Sequence, residues 1–323
     1  MNQLKLPTDF STPIAPHDFC DPTFDNEIPY AGSLKTIYIL LSTPRSGSTL
    51  FCEKVYQQTG LVIHEYLQSF QYLPFLAHRF NVVRETTKNG KHHRIISLKC
   101  YLQALVAARA QQGVLGINCH ISHIIYLRAL VNEAKRLYPD VQIEQDYLYR
   151  RDQYRQAASY AIAREKKIWS QLKATDPDQL SRKSLLKLKI QAAQLLRKLR
   201  QQHQIITSGM LELKESTPIN SSYCYEDIII QGCNDNVIAA IIDRLDISKS
   251  SPKLQLEKQL AVQATDTNIL IAHAIRQHGG IYLALGLILN VLEKLGRISK
   301  KAGLTSSQKT KPIPYFLEIE VAP

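Results

Sequence analysis

The segment Thr43-Pro44-Arg45-Ser46-Gly47-Ser48-Thr49-Leu50 joins two runs of different character. Lys35 to Leu41, before it, is β-branched and aliphatic, which predicts a buried strand. Phe51 to Gln58, after it, predicts a helix. Strand, small-residue loop and helix N-terminus together make an anion site. The first N–H groups of the helix lack intrahelical partners, and its dipole favours negative charge there. Gly47 lets the backbone come close to a ligand. Ser46, Ser48 and Thr49 add hydroxyl donors, and Arg45 offers a planar fork for phosphate or sulfate oxygens.

The rest of the chain continues the alternation. Strands are predicted at 61–63, 113–117, 141–149 and 221–225. Helices are predicted at 102–112, 120–137, 153–170, 176–204 and 236–245, and over 268–297 in two segments parted at Gly279-Gly280. This order predicts a P-loop-like three-layer α/β fold: a central, mostly parallel sheet covered on both faces, with added helices. Residues 1–34, rich in Pro, Asp and Thr, read as an irregular arm. Residues 35–323 read as one α/β domain with helical elaborations at about 170–215 and 236–300.

The formal net charge of +12 fits either basic helix faces or a polyanionic ligand. No nucleic-acid recognition motif accompanies it, so no nucleic-acid partner is expected. The six cysteines include no CxxC pair, which suits reduced thiols in a cytoplasmic protein. Met1 to Pro16 has no apolar core and does not read as a secretory signal. The longest apolar run, Ile281 to Leu289, is too short for a bilayer and predicts a buried helix rather than an integral membrane segment.

Two features narrow the anion. The nucleoside triphosphate pattern GxxxxGK[ST] has lysine after its second glycine, whereas Ser48 follows Gly47 here, against an ordinary ATPase or kinase. Arg151, at a predicted strand end, and Ser159, in the next helix, stand eight positions apart. That is a little over two helical turns, so both can face one side and hold a second phosphate.

With these residues the chain resembles the sulfotransferases that use 3′-phosphoadenosine 5′-phosphosulfate (PAPS), and most closely the bacterial trehalose 2-sulfotransferase-like family. Arg45 to Phe51, Thr59-Gly60, Glu65-Tyr66, Arg150 to Ser159 with Ala163-Arg164 and Trp169, and Tyr225-Glu226-Asp227-Ile228 carry the match. The resemblance implies sulfuryl transfer from PAPS, as cosubstrate and without a metal, to a hydroxyl of a small carbohydrate or glycolipid acceptor. It implies that Arg45, Ser46, Gly47, Ser48 and Thr49 hold the 5′-phosphosulfate, that Arg151 and Ser159 hold the 3′-phosphate, and that Tyr225 lies near the adenine. Glu65 is the implied catalytic base, with Arg45 stabilising transferred charge and His64 as the rival base. Neighbouring strand residues face opposite sides, so only one of His64 and Glu65 reaches the donor. A homodimer stays open. The alternatives are a nucleotide-binding homologue without turnover and a divergent P-loop kinase.

Three positions sit beside this pattern. Asn118 stands where the family often has a lysine, which removes a positive charge; Lys99 is a candidate substitute. His120 and His123 can share a face, but the sequence supplies no third ligand beside them, so they read as a polar pocket wall. Trp169, the single tryptophan, reads as a core residue.

Overall fold

Ile37, Ile39 and Leu41 join one buried cluster and Tyr38 and Leu40 another, from a single strand with no exposed face. Such a strand belongs at the centre of a sheet covered on both sides. The computed structural model describes residues 4–5, 19–88, 91–166, 182–208, 219–230, 234–248, 266–302 and 316–320. Trp169 lies outside them, as do 170–181 and 209–215 of the expected elaboration.

In chain order the strands are β1 (Leu4–Lys5), β2 (Thr36–Ser42), β3 (Ile63–His64), β4 (Val83–Lys88), β5 (Lys91–Ser97), β6 (Val114–His120), β7 (Gln142–Tyr149), β8 (Ser221–Cys224) and β9 (Phe316–Glu320). The α-helices are α1 (Ser48–Thr59), α2 (Tyr72–Arg79), α3 (Leu98–Arg109), α4 (Ile124–Leu137), α5 (Gln153–Lys166), α6 (Arg182–Thr207), α7 (Asn234–Leu245) and α8 (Asp266–Ala302).

The central sheet runs β3-β6-β2-β7-β8, and every pairing in it is parallel. On one face Ile37, Ile39 and Leu41 pack with Leu102 and Leu105 of α3 and Leu127 and Leu130 of α4. On the other, Tyr38 and Leu40 pack with Phe51 and Val55 of α1 and Ile238 and Ile241 of α7. The expected three-layer α/β fold is therefore present. A third cluster gathers Ala157 and Ala161 of α5, Leu188, Leu195 and Leu199 of α6, and Ile271 and Ile275 of α8. The apolar stripe expected on the long basic helix is thus its buried side.

Local chemistry explains the element ends. Gly60 closes α1 at φ 74°, its N–H donating to Tyr56 O at 2.7 Å, and the left-handed conformation is one glycine takes without a Cβ penalty. Ser97 caps α3 by accepting from the Cys100 N–H.

Two sequence expectations change and a third shifts by one residue. A second sheet, β1-β9-β5-β4, was not expected. β4 and β5 are too rich in charge for clear alternation, and β9 joins β5 from far along the chain, with His93 opposite Phe316. The break expected at Gly279-Gly280 is present one residue earlier: α8 is two helical segments that meet at a kink at His278, φ −129°. The apolar run after Ile281 is not buried throughout: Leu287 is 62% exposed and Leu292 58%. Among the described residues no helix is long and apolar enough to cross a membrane.

Candidate active site

All five central strands run the same way, so their carboxyl ends share one edge, where ligands bind in open α/β sheets. In register Ser42 stands opposite both His120 and Leu148, and His64 opposite Ile117. The loop leaving β2, Glu65 after β3, the turn Ile121–His123 after β6, and Arg150-Arg151 after β7 therefore emerge together.

The β2–α1 loop is held tightly. Arg45 and Gly47 both have positive φ, 65° and 92°, so the chain turns sharply on either side of Ser46. Ser46 N–H donates to Thr43 O at 3.1 Å. Gln156 of α5, itself buried, donates its side-chain amide to both Thr43 Oγ1 and Pro44 O at 2.8 Å. No side chain caps the α1 N-terminus at Gly47, and its first turn has no acidic residue. The helix dipole there is left for an anion. Ser46 is fully buried and its hydroxyl has no hydrogen-bond partner among the described residues. A buried hydroxyl without a partner costs stability, and an anion oxygen in the loop would supply the missing partner. Ser48 is buried at the start of α1, and Thr49 beside it is exposed.

Arg45 Nε donates to Ser159 Oγ at 3.1 Å. This joins the loop to the helix that carries the second predicted phosphate ligand. Accepting from Arg45 leaves the Ser159 O–H to donate elsewhere. Burial, and next the charge of Arg150, pull the Arg45 guanidinium below its ordinary range. Two crowded cations at a helix N-terminus are an arrangement that an anion relieves.

Arg150 and Arg151 divide their work. Arg150 lies with its guanidinium carbon 4.9 Å from the centre of the Tyr225 ring and donates to Arg45 O at 3.5 Å. Arg151 is paired with Asp227 at 2.6 Å, and its side chain is 60% exposed. Glu226 accepts from the backbone N–H groups of Arg151 and Asp152, at 2.9 and 3.1 Å, fixing the turn between β7 and α5. Tyr225 is buried against Gly47, where an added Cβ would overlap its ring.

Glu65 and His64 face different surroundings. His64 sits among aromatic rings, 4.4 Å from Tyr72, 5.6 Å from Tyr66 and 6.2 Å from Phe19. Glu65 accepts from Gln68 Nε2 at 3.2 Å and lies 3.6 Å from His120 Nδ1. After burial, the Glu65 charge is the next cause raising the Cys52 and Cys119 thiols. It also contributes, behind burial and opposed by Arg164, to the raised Tyr160 phenol. Its carboxylate therefore acts on α1, β6 and α5, the elements around the loop. His120 and His123 are buried, and burial takes each down to about 4, so both imidazoles are neutral at pH 7. Asn118 is buried inside the sheet and accepts from Ser42 Oγ at 2.9 Å, fastening β6 to the last residue of β2. Lys99 lies exposed in the first turn of α3.

The family model described as Stf0 sulphotransferase matches residues 37–268, from the first central strand into α8. The chain belongs to the Stf0 sulphotransferase family. A search of the curated proteins finds no match. The family establishes sulfuryl transfer in general, with a donor cosubstrate and a small-molecule acceptor, and its extent covers every site residue named above.

Three residues of this candidate site are not marked by the loop and spacing pattern. Gln156 precedes Ser159 by three positions, so the two share a helix face. Arg150 lacks the eight-residue spacing to Ser159 that Arg151 has, so the spacing alone does not mark it. Glu226 directly follows Tyr225, but the backbone N–H groups it accepts from are marked by no sequence pattern.

Proposed function

We propose that this sulphotransferase moves a sulfuryl group from PAPS to a hydroxyl of a carbohydrate or glycolipid acceptor. The observation that carries the reading is the buried, unpartnered Ser46 hydroxyl beside Arg45 and the uncapped α1 N-terminus. It suits a tetrahedral, doubly anionic 5′ group. Ser48 and Thr49 add donors at the same terminus, and Gly47 keeps the cradle open. Ser159 donates to the 3′-phosphate, joined by Arg151 once the phosphate replaces Asp227 as its partner. Tyr225, under Arg150, offers a ring face to the adenine.

In this reading the acceptor oxygen attacks sulfur in line as the bond from sulfur to the bridging oxygen breaks. Glu65 takes the acceptor's proton, and adenosine 3′,5′-bisphosphate leaves with the electron pair. Arg45 and the loop N–H groups stabilise charge as it grows on the bridging oxygen. His64 stays the second candidate base. The five described cysteines form no disulfide, which supports a reducing compartment such as the cytoplasm.

Thermal unfolding tests the donor. Adenosine 3′,5′-bisphosphate at a hundredfold excess over its Kd should add about 2.7 kcal/mol of stability, a rise of several degrees for a chain of this size. Adenosine 5′-monophosphate should give a smaller rise and ATP none. Arg151→Ala should remove the advantage of the bisphosphate over the monophosphate. An equal rise with ATP would favour the kinase alternative. Tight bisphosphate binding without transfer to any of a broad carbohydrate panel would favour the homologue without turnover.

Arg150→Ala has a separate expected result. It removes a cation–π contact worth about 0.5–1 kcal/mol and a hydrogen bond worth about 1 kcal/mol. Bisphosphate affinity by calorimetry should fall about tenfold. The exposed Arg155→Ala should leave it unchanged.

A further inference from the structure

Glu65, His120 and His123 each bring one ligand atom to within 4.8 Å of the other two. They come from different places in the chain. Glu65 follows β3, His120 ends β6, and His123 closes the turn after it. The parallel pairing of β3 with β6, His64 opposite Ile117, brings the first beside the others. From the sequence alone the two histidines lacked a third ligand; the fold supplies it.

One ring nitrogen of the cluster is left without a hydrogen bond. His120 Nδ1 lies 3.6 Å from Glu65 Oε2, too far for a hydrogen bond. His120 Nε2 is buried with no hydrogen-bond partner among the described residues. The His120 and His123 rings stack with centroids 6.1 Å apart, and no described hydrogen bond joins them. An orphaned polar atom at a buried site asks for a missing partner.

We infer that Glu65, His120 and His123 form a binding site for a divalent transition ion of the zinc class, with its fourth position open. Two imidazoles and one carboxylate are the donor set such an ion takes when one position is kept for water or another ligand. Bonds of about 2.0–2.2 Å in a tetrahedron put ligand atoms about 3.3 Å apart, so binding closes the triangle through small side-chain rotations. Gln68, donating to Glu65 Oε2 at 3.2 Å, is the outer partner that orients the carboxylate. The site goes beyond the transfer reading and does not depend on it. Glu65 would serve either as ligand or as base, so an ion and an acceptor proton compete for it.

Cobalt(II) is the probe, titrated into the full chain at pH 7 without donor. The expected result is saturable visible absorption of a four- or five-coordinate ion, displaced by one equivalent of zinc. His120→Ala, His123→Ala and Glu65→Gln should each weaken cobalt binding at least about tenfold, the scale set by losing even an outer partner. His273→Ala, at an exposed histidine of α8, should not. Circular dichroism checks that each variant is folded. His120→Gln and His123→Gln, which keep a polar side chain of similar reach, replace any alanine variant that is not. No saturable band, or binding that all three substitutions leave intact, overturns the site. Transfer is assayed separately with chelator present, so loss of either reading leaves the other standing.

Discussion

Glu65→Ala is expected to lower kcat/KM for sulfuryl transfer by about 10²–10⁴, the usual contribution of a positioned general base. Affinity for adenosine 3′,5′-bisphosphate should hold, because Glu65 contacts Gln68 and His120 on the acceptor side proposed for it. Glu65→Gln keeps the shape and the Gln68 contact but cannot take a proton, so it should lose as much in kcat. His64→Ala is the companion. It removes a ring packed among Phe19, Tyr66 and Tyr72, so it should lower Tm while kcat stays near wild type in the protein that remains folded. Single-turnover rates measured below the Tm of each variant separate the two effects. Transfer by Glu65→Ala at the wild-type rate, with loss in His64→Ala, would move the base to His64.

Gly47→Ala should remove bisphosphate binding almost completely. Two costs add. At φ 92° an L-residue with a Cβ pays about 1–2 kcal/mol. The added carbon also overlaps the Tyr225 ring, and forcing extra volume into a packed site costs about 1–3 kcal/mol more. The loop relieves both costs by leaving the cradle geometry, which predicts a loss of about a hundredfold or greater in affinity by calorimetry, with the far-ultraviolet circular dichroism of the folded chain preserved. In the double variant Gly47→Ala, Tyr225→Ala the overlap is gone but the φ cost and the missing ring remain, so recovery should be partial. Wild-type affinity in Gly47→Ala would show that the nucleotide does not sit in this loop.

The central sheet was readable because β2 announces itself. Seven residues with no charge among them, followed by small loop residues and a helix, fit only a buried parallel strand. Gly60 marked the end of α1 for an equally local reason. β4 and β5 were not readable, since Arg84, Glu85, Lys88 and Lys91 interrupt any period of two and the partner β9 lies near the other end of the sequence. The same division holds in the site. Arg45 and Ser159 were each visible as phosphate ligands, but not that one donates to the other. His120 and His123 were visible as a pair, but their third companion depended on the register of β3 against β6. Asn118 looked like a gap in the site, whereas its side chain is spent inside the sheet on Ser42. What side chains do across strands is decided by pairing, which a linear pattern does not contain.

The two left-handed residues around Ser46 have a thermodynamic meaning. Arg45, which has a Cβ, holds φ 65°, a conformation that an isolated chain rarely visits. Gln156 keeps the loop in that shape through two hydrogen bonds from a neighbouring helix. The ordering of the cradle is thus completed when the protein folds, so an arriving anion meets donors already in position. Its association then carries little conformational entropy loss, and binding strength is set by contacts rather than by the freezing of a loop.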